Sequence, residues 1–270
     1  MTQFSVLLSL YSKERPEFLN QALLSIFNQT LRADEVILVE DGPLTDELYA
    51  ILNQYKETYT EFKTIRLTQN MGLGKALNEG LKHCTYDIVA RMDTDDIAKP
   101  DRFEKQIRYL EQNIDIALLS GYIEEFYDNP QKIASMRIVP LEDNDIKQYL
   151  KKRNAFNHMA VMFKKSAVIN SGGYQSVPFF EDYDLWIRIV QNGYRVGNIS
   201  NVLVTARIGT DMIGRRHGFK YAIHELFFLK RQLKSGFINK YEYLKLVILR
   251  VPVRIMPKFI LKFIYKFLRK

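Results

Sequence analysis

The sequence predicts an α/β fold with a mainly parallel central sheet, flanking helices and an amphipathic helical tail at the C-terminus. Three observations support this prediction. Short apolar runs alternate with segments of helical spacing over the first 126 residues, acidic residues follow two of these runs, and basic residues concentrate at the C-terminus. Strands that alternate with helices usually pair in parallel, because each helix returns the chain to the same edge of the sheet.

The alternation begins at the N-terminus. Residues 4–11 and 35–39 are β-rich apolar runs, and residues 17–29 between them place apolar side chains at helical spacing. These segments predict a β-α-β unit. The same pattern predicts helices at residues 47–59, 74–83 and 100–112 and strands at residues 62–67, 87–92 and 116–126.

The second half of the chain gives fewer signals. Residues 154–191 predict a short strand, a turn at Gly172-Gly173 and a helix that begins near Glu181. The sequence shows no internal repeat and no linker before about residue 215. A chain of 270 residues has room for one large domain and an appendage. We therefore predict a globular domain over residues 1–217 and a basic helical tail over residues 218–270.

The positive charge of the chain belongs to its C-terminus. Residues 240–270 carry nine Lys or Arg and one acid, Glu242, which accounts for the whole net charge of +8. The other residues carry 30 basic and 30 acidic side chains, so they offer no field that would attract a polyanion. We expect no nucleic-acid partner. The lone cysteine, Cys84, is expected to be a buried structural residue of a cytoplasmic protein.

The densest acidic cluster is Asp93-Thr94-Asp95-Asp96, directly after a predicted strand. Crowded carboxylates need a cation or full solvation, because like charges at close range repel one another. Hard oxygen ligands suit Mg²⁺ or Mn²⁺, either of which can bridge a protein to a diphosphate. The alternative is a solvated acidic turn that caps the following helix.

Two further features fall at the same predicted edge of the sheet. Asp41 precedes a Gly-Pro turn that is expected to expose its carboxylate, which could accept a hydrogen bond from a uracil imide. An Asx-turn is the structural alternative. The loop at residues 70–75 contains two glycines and ends in Lys75 at a helix start, a suitable place for a phosphate group.

Several short motifs follow one another in a characteristic order. They are Ser5 to Ser12, Val39-Glu40-Asp41-Gly42, Arg91 to Asp96, Asn154 to Val161, and Gly172-Gly173-Tyr174 followed by Phe180 to Arg188. In order and spacing they resemble the family 2 glycosyltransferases, which have the Rossmann-like GT-A fold. The resemblance covers about residues 4–217 and implies an enzyme that uses a nucleotide-activated sugar, with a UDP-hexose as the expected donor.

The resemblance assigns roles to the acidic residues. Asp41 would contact the uracil and Asp93 the ribose, while Asp95 would bind Mn²⁺ or Mg²⁺ together with Asp93 and the supporting Asp96. Enzymes of this family resemble one another in inverting the anomeric centre in a single displacement. One carboxylate base therefore suffices, and Asp182 matches it.

Other residues near Asp182 carry weaker assignments. Glu181 lies beside the expected base, and His158 either lines the acceptor pocket or is a core histidine. Trp186 could be a sugar platform or a core residue. Asp182 itself has an alternative role as an acid at a helix N-terminus.

The chain departs from the family pattern in one respect. Many GT-A enzymes supply a late metal-ligating His, but residues 205–210 contain none. His217 is the nearest candidate, and Arg207, Arg215 and Arg216 are alternative diphosphate contacts by virtue of their charge.

The last residues predict an interfacial helix. Lys258, Lys262 and Lys266 recur at i, i+4 spacing with Phe, Ile and Leu between them. This helix is expected to lie on an anionic membrane at its cytoplasmic face, and residues 243–253 could extend the surface. Packing on the core with snorkelling lysines is the alternative. A transferase at a membrane suggests a saccharide acceptor, lipid-linked, in cell-surface polysaccharide synthesis.

Two functions from other classes compete with transfer. A catalytically inactive sugar-nucleotide-binding or membrane scaffold protein would keep the fold, but the acids on both sides of the expected reaction centre are present. A nucleotidyltransferase would be expected to carry a Gly- and Arg-rich loop after the first strand, and residues 11–15 do not form one.

Overall fold

The computed structural model describes residues 2–209 and 217–256. Its first part alternates strands and helices as predicted, with each element within two residues of its expected bounds. In chain order these elements are β1 (Phe4–Leu10), α1 (Pro16–Phe27), β2 (Glu35–Glu40), α2 (Asp46–Thr58), β3 (Phe62–Arg66), α3 (Leu73–His83) and β4 (Ile88–Arg91).

The second part places shorter elements around two long strands, and it ends in two helices. The predicted strand at 116–126 and the helices at 100–112 and near Glu181 are confirmed. The elements are β5 (Ile97–Ala98), α4 (Arg102–Gln112), β6 (Ile116–Phe126), β7 (Ile133–Arg137), α5 (Asp143–Leu150), a 3₁₀ turn (His158–Ala160), β8 (Met162–Lys164), α6 (Lys165–Asn170), α7 (Glu181–Gln191), β9 (Arg195–Arg207), α8 (Phe219–Lys234) and α9 (Lys240–Ile255).

The described strands form a single sheet. Their order is β3-β2-β1-β4-β8-β6-β9-β5, and β7 pairs with β6. The ladder from β3 to β4 is parallel, and so is the pair of β6 and β9. By contrast, β8 runs antiparallel to both β4 and β6. The α/β fold class is confirmed, with the parallel pairing concentrated in the N-terminal half of a mixed sheet.

Helices cover both faces of the parallel half, so its strands are apolar on both faces. On β1, Val6 and Leu8 pack into an apolar cluster with α1, α2 and α4, whereas Leu7 packs into a second cluster with α3 and α7. The helix α3 lies very close to the sheet at Gly80, where an added Cβ would lie 2.4 Å from Leu7 Cδ1 and 2.7 Å from Val39 Cγ2. The seating of α3 on β1 and β2 therefore depends on this glycine.

The elements β7, α5 and β9 have no counterpart in the sequence prediction. The strand β9 is 13 residues long, yet it contains Gly197, Asn198 and Asn201, which are typical of turns. Its pairing with β6 shifts register on both sides of Tyr122, and these irregularities accommodate the turn-forming residues. Long-range pairing thus forms a strand where local propensity points away from one.

A buried carboxylate on α7 joins that helix to α8 through hydrogen bonds and an ion pair. Asp184 on α7 is 1% exposed and accepts hydrogen bonds from Arg231 Nε at 2.6 Å and Gln232 Nε2 at 3.2 Å, both on α8. Arg188, one turn along α7, pairs with the same carboxylate at 2.8 Å. A buried charge with several donors holds its neighbours in one arrangement, because leaving it unpaired is costly.

A second buried carboxylate joins the helices α8 and α9 to each other. Glu225 on α8 is fully buried and forms ion pairs with Arg250 and Arg254 on α9. The backbone N–H of Gly218, before α8, also donates to Arg254 O at 2.7 Å. Residues 218–256 therefore pack on the domain, and the predicted domain boundary at residue 217 stays a prediction.

Within residues 2–209 and 217–256, no helix is both long and apolar enough to cross a membrane. The interfacial helix predicted from Lys258 onward lies outside the described residues. Residues 243–253, predicted to extend its surface, lie within α9.

Candidate active site

The acidic residues named from the sequence lie at the carboxyl edge of the parallel half of the sheet. Asp41 follows β2 directly, Asp93 comes two residues after β4, and both strands pair with β1. Open α/β sheets bind their ligands at this edge. The fold thus brings both acidic segments to the end of the sheet where they were predicted.

The carboxylates of Asp93, Asp95 and Asp96 form a compact cluster. One oxygen from each lies within 4.8 Å of the others. Asp96 is buried, and its Oδ1 accepts the backbone N–H of Arg207 at 2.7 Å. Asp93 forms an ion pair with Arg91, and its side chain is 30% exposed. Protein donors therefore bind the Asp96 and Asp93 carboxylates, while the Asp93 side chain stays partly accessible to solvent.

Burial, together with the crowding of like charges, raises the proton affinity of this cluster. Burial, followed by the charges of Asp93 and Glu14, raises the pKa of Asp95 to about 7. Burial also raises the pKa of Asp96 well above its usual value, and Asp93 and Asp95 add to the effect. A divalent cation would offset this repulsion, and three carboxylates are a suitable donor set for Mg²⁺ or Mn²⁺. The residues present fit such an ion.

Arg91 is a central residue of the site, although neither the sequence pattern nor the family resemblance predicts a role for it. Its side chain is 1% exposed, and its Nε and Nη1 atoms have no hydrogen-bond partner among residues 2–209 and 217–256. Its charge acts on Asp93 and also on Asp182. The signal available in the sequence is an arginine that ends an apolar strand directly before the acidic loop.

Asp182 lies in the first turn of α7, in a second part of the site. Its Oδ2 accepts a hydrogen bond from Asn154 Nδ2 at 2.8 Å. Burial raises the pKa of Asp182, whereas the backbone N–H of Tyr183 and the Asn154 amide act in the opposite direction. A carboxylate with a raised pKa and a neutral hydrogen-bond donor is suited to accept a proton near neutral pH.

The start of α7 adjoins the glycine loop at the start of α3. A Cβ added to Gly74 would lie 3.6 Å from Glu181 Cγ. Asn78 on α3 donates to Tyr174 O at 2.7 Å and accepts from Tyr174 N at 2.8 Å. Lys75 is exposed beside this junction. The fold therefore brings Lys75 and Glu181 onto adjoining segments, and their contacts with substrate stay predictions.

The structure corrects the expected exposure of Asp41. This residue is 3% exposed, and its two carboxylate oxygens accept the backbone N–H groups of Met71 at 2.6 Å and Gly72 at 3.0 Å. The glycine loop folds over the end of β2, and its N–H groups need an acceptor there. Gly42, with φ of 87°, permits the close approach of Asn70 N, 2.6 Å from where a Cβ would lie. Uracil contact by Asp41 stays a prediction.

His158 and Trp186 belong to an aromatic cluster. The Nε2 atom of His158 lies 3.0 Å from Tyr174 Oη, and its ring centroid is 5.9 Å from that of Trp186. Trp186 is fully buried, which makes it a core residue and removes the sugar-platform alternative. Burial, followed by the charge of Arg91, lowers the pKa of His158 well below its usual value, so its imidazole is neutral at pH 7. An acceptor contact of His158 stays a prediction.

Arg207 is the late basic residue that reaches the acidic cluster. Besides its backbone contact with the cluster, its Nε donates to Asp95 O at 3.2 Å. His217 contacts a backbone carbonyl after α9 at 2.7 Å through Nε2. Arg215 and Arg216 lie outside the described residues. Among the described candidates for the late contact, the fold brings Arg207 to the site.

Comparison with known sequences gives full-length relatives. Residues 5–169 match the family model described as glycosyl transferase family 2. The amylovoran biosynthesis glycosyltransferase AmsE of Erwinia amylovora is 44% identical, over 99% of each chain. The UDP-Gal:alpha-D-GlcNAc-diphosphoundecaprenol beta-1,3-galactosyltransferase of Escherichia coli is 39% identical, over 98% of this chain and 95% of the relative.

Comparison with solved structures supports the same fold. S. aureus TarS 1-349 in complex with UDP-GlcNAc aligns with a TM-score of 0.68 at 15% identity, over 91% of this chain and 70% of that chain. The mannosyltransferase PcManGT from Pyrobaculum calidifontis, in complex with GDP-Man and Mn²⁺, aligns with a TM-score of 0.66 at 17% identity, over 93% of this chain and 69% of that chain. From the GT-A fold, the family match and the full-length relatives, we conclude that this chain belongs to the family 2 glycosyltransferases.

Proposed function

We propose that the chain moves a hexose from a UDP-sugar to a lipid-linked saccharide, with inversion at the anomeric carbon, in the synthesis of a cell-surface polysaccharide. The observation that supports this best is the separation of acids into two groups, both of which lie within the electrostatic reach of Arg91. The cluster of Asp93, Asp95 and Asp96 forms one group, and Asp182, bound by a neutral amide, forms the other. The names of the amylovoran relative and the galactosyltransferase suggest the pathway and the acceptor class.

On the donor side, the acidic residues would bind the negatively charged donor through a cation. Asp93, Asp95 and Asp96 would hold Mg²⁺ or Mn²⁺, which supplies positive charge to the departing nucleoside diphosphate. Arg207 adds a guanidinium at the same cluster. Lys75, exposed at the start of α3, extends the positive charge toward the phosphates.

On the acceptor side, Asp182 takes the proton of the attacking hydroxyl. The acceptor oxygen forms its bond to the anomeric carbon as the bond from that carbon to the diphosphate oxygen breaks, and UDP leaves with the electron pair. The Asn154 amide holds the Asp182 carboxylate in place through this step. One base on the side opposite the leaving group gives inversion, so an α-linked donor yields a β-linked product.

A calorimetric titration tests the donor assignment. The purified chain is titrated with UDP-galactose, UDP-glucose, UDP-GlcNAc and GDP-mannose, each with Mn²⁺ and with chelator. We expect one UDP-hexose to bind only with Mn²⁺, because a divalent ion must neutralise the diphosphate beside three carboxylates. Binding of GDP-mannose alone would contradict the UDP assignment, and absence of binding by every donor would favour the membrane scaffold or a donor outside this panel.

The pH dependence of transfer tests the pairing of Asn154 with Asp182. The base must be ionised, and burial raises its pKa, so the rate should rise with pH through a limb above the usual range of aspartate. The Asn154 amide favours the ionised form, so Asn154→Ala should move this limb to higher pH. We expect a rate several-fold below wild type at pH 6 and a much smaller difference at pH 9.

The matched control is Asn170→Ala, which removes an exposed amide bound to Tyr194 Oη at 3.1 Å. This variant should keep the wild-type pH profile. A uniform loss of rate at every pH in Asn154→Ala would contradict a role through Asp182 ionisation.

A further inference from the structure

The helices α8 and α9 each expose a row of large apolar side chains. On α8, Phe219 and Phe227 are 76% and 65% exposed, and Ile223 lies between them at i, i+4 spacing. On α9, Tyr241, Leu244, Ile248 and Ile255 are exposed and are spaced three, four and seven residues apart, so they also share one face. Leu249 is exposed at the side of this face. Such a row is normally covered by another surface, because exposed apolar area in water is unfavourable.

Basic residues surround these rows without opposing acids. Lys220, Lys230 and Lys234 are exposed on α8, and Lys240 and Lys245 are exposed on α9. None of these five forms an ion pair within the described part of the chain.

The two acids of residues 217–256 are already neutralised. Glu225 is buried between Arg250 and Arg254, and Glu242 pairs with Lys151 at 3.0 Å. The exposed faces of α8 and α9 are therefore apolar and uniformly basic.

A groove beside α8 adds to the basic character. It has a volume of about 550 Å³, and its lining includes Phe227, Lys230, Arg231 and Lys234. Among the described residues that line it, the only acid is Asp184, which is 1% exposed and already binds Arg231. The groove thus offers positive charge next to an exposed aromatic ring, a combination that suits an anionic headgroup above an apolar layer.

We propose that these faces form a docking surface for an anionic lipid bilayer, and we call them the α8–α9 surface. It consists of Phe219, Lys220, Ile223, Phe227, Lys230 and Lys234 on α8 with Lys240, Tyr241, Leu244, Lys245, Ile248, Leu249 and Ile255 on α9. A second copy of the chain is a poorer occupant, because two such basic faces would repel each other. The inference rests on the proposed function for its purpose, since a lipid-linked acceptor is met at a membrane.

The surface is joined to the helix that carries the expected base. Asp184 on α7 binds Arg231 and Gln232 on α8, and Asp182 lies half a turn before it on the same helix. A bilayer that contacts α8 would therefore lie one helix away from α7, the element that positions Asp182, so lipid-linked acceptors would be delivered to the acceptor side of the site.

Vesicle flotation of the full chain tests the apolar part of the surface. Vesicles of phosphatidylcholine are compared with vesicles that contain about one quarter phosphatidylglycerol. We expect binding to the anionic vesicles and at least about tenfold weaker binding by Phe227→Glu/Ile248→Glu, because apolar burial is lost and the two added carboxylates are repelled by the anionic leaflet. The control Ile114→Glu/Ile169→Glu changes two exposed isoleucines elsewhere and should bind as wild type does.

Charge reversal tests the basic part. Lys230→Glu/Lys234→Glu should also weaken anionic binding by at least about tenfold, since each lysine near the leaflet contributes to attraction. The control Lys132→Glu reverses an exposed lysine in the loop before β7 and should have no effect. Calorimetric donor affinity should be unchanged in all four variants, which separates failure of this inference from failure of the proposed function.

A fluorescent label on α9 measures contact between the α8–α9 surface and the vesicle directly. Cys84 is 2% exposed and burial raises the pKa of its thiol to about 12, so a thiol reagent should label only an introduced cysteine. An environment-sensitive dye on Leu244→Cys should shift to shorter wavelength with anionic vesicles, and a dye on Ile114→Cys should not.

Four results would overturn the inference. They are no wild-type binding to anionic vesicles, wild-type binding by the two α8–α9 variants, equal dye responses at positions 244 and 114, and a dimer that the apolar variant converts to a monomer without any vesicle binding. The second result would assign membrane contact to residues 257–270 alone.

Discussion

The substitution Asp182→Asn is expected to lower the rate of sugar transfer by about 10²- to 10⁴-fold, the usual range for a lost general base. The asparagine has almost the same size, so the start of α7 should keep its structure. Donor affinity should remain within about twofold of wild type, because Asp182 acts on the acceptor hydroxyl and not on the nucleotide. Single-turnover transfer and calorimetric donor titration measure the two quantities separately.

The matched control is Asp145→Asn, which neutralises an exposed acid in the first turn of α5. Its rate and donor affinity should equal those of wild type. A rate for Asp182→Asn above about a tenth of wild type would remove this residue from the role of base. Equal loss of donor binding and transfer would show that it acts on the donor instead.

The second large effect is expected from Asp95→Asn. Removing one anionic oxygen ligand from a cluster of three should weaken Mn²⁺ binding at least about tenfold, since charge count sets affinity for such ions. Metal-dependent donor binding should fall to the level seen with chelator. Electron paramagnetic resonance of free Mn²⁺ measures the ion affinity without reference to turnover, and Asp145→Asn again serves as the control.

Although Asp95→Asn should weaken metal binding, it should raise the thermal stability of the metal-free protein. The pKa of Asp95, raised by burial and then by Asp93 and Glu14 to about 7, exceeds the unfolded value, so its ionisation lowers stability as pH rises. In chelator at pH 8, Asp95→Asn should therefore melt above wild type. Added Mn²⁺ should raise the Tm of wild type and leave that of the variant nearly unchanged. A wild-type Tm insensitive to Mn²⁺ would contradict a metal site here.

Much of the fold could be predicted because its N-terminal half follows local rules. The strands β1, β2 and β4 are apolar runs with clear ends, and helices of regular spacing connect them. The ends of parallel strands meet at one edge, so Asp41 and Asp93 could be placed at the site without any knowledge of side-chain contacts. The assignment of Asp182 depended on the family resemblance, because its helix lies about 90 residues further along the chain than Asp93.

The contacts that complete the site were less predictable because they join distant segments. Arg91 stands out only in the structure, where its buried guanidinium pairs with Asp93 and its charge also acts on Asp182. Asn154 reaches Asp182 across 28 residues, and Arg207 reaches Asp96 across 111. No spacing rule in the sequence marks such pairs.

The burial of Asp41 and the length of β9 have a common cause. In both places tertiary packing overrides the local signal. The glycine loop folds over Asp41, and β6 pairs with a segment that contains Gly197, Asn198 and Asn201. Turn-forming residues predict exposure on average, but they also supply backbone donors and irregular strands where the fold needs them.

The most direct test of the proposed function is transfer from the UDP-hexose that binds in the titration to N-acetylglucosamine carried on undecaprenyl diphosphate, with the product linkage determined by NMR. The acceptor is the one named for the galactosyltransferase relative. We predict transfer that requires Mn²⁺ or Mg²⁺, gives a β linkage and fails with Asp182→Asn. An α-linked product would contradict single displacement, and transfer that proceeds unchanged in chelator would contradict the role given to the Asp93, Asp95 and Asp96 cluster.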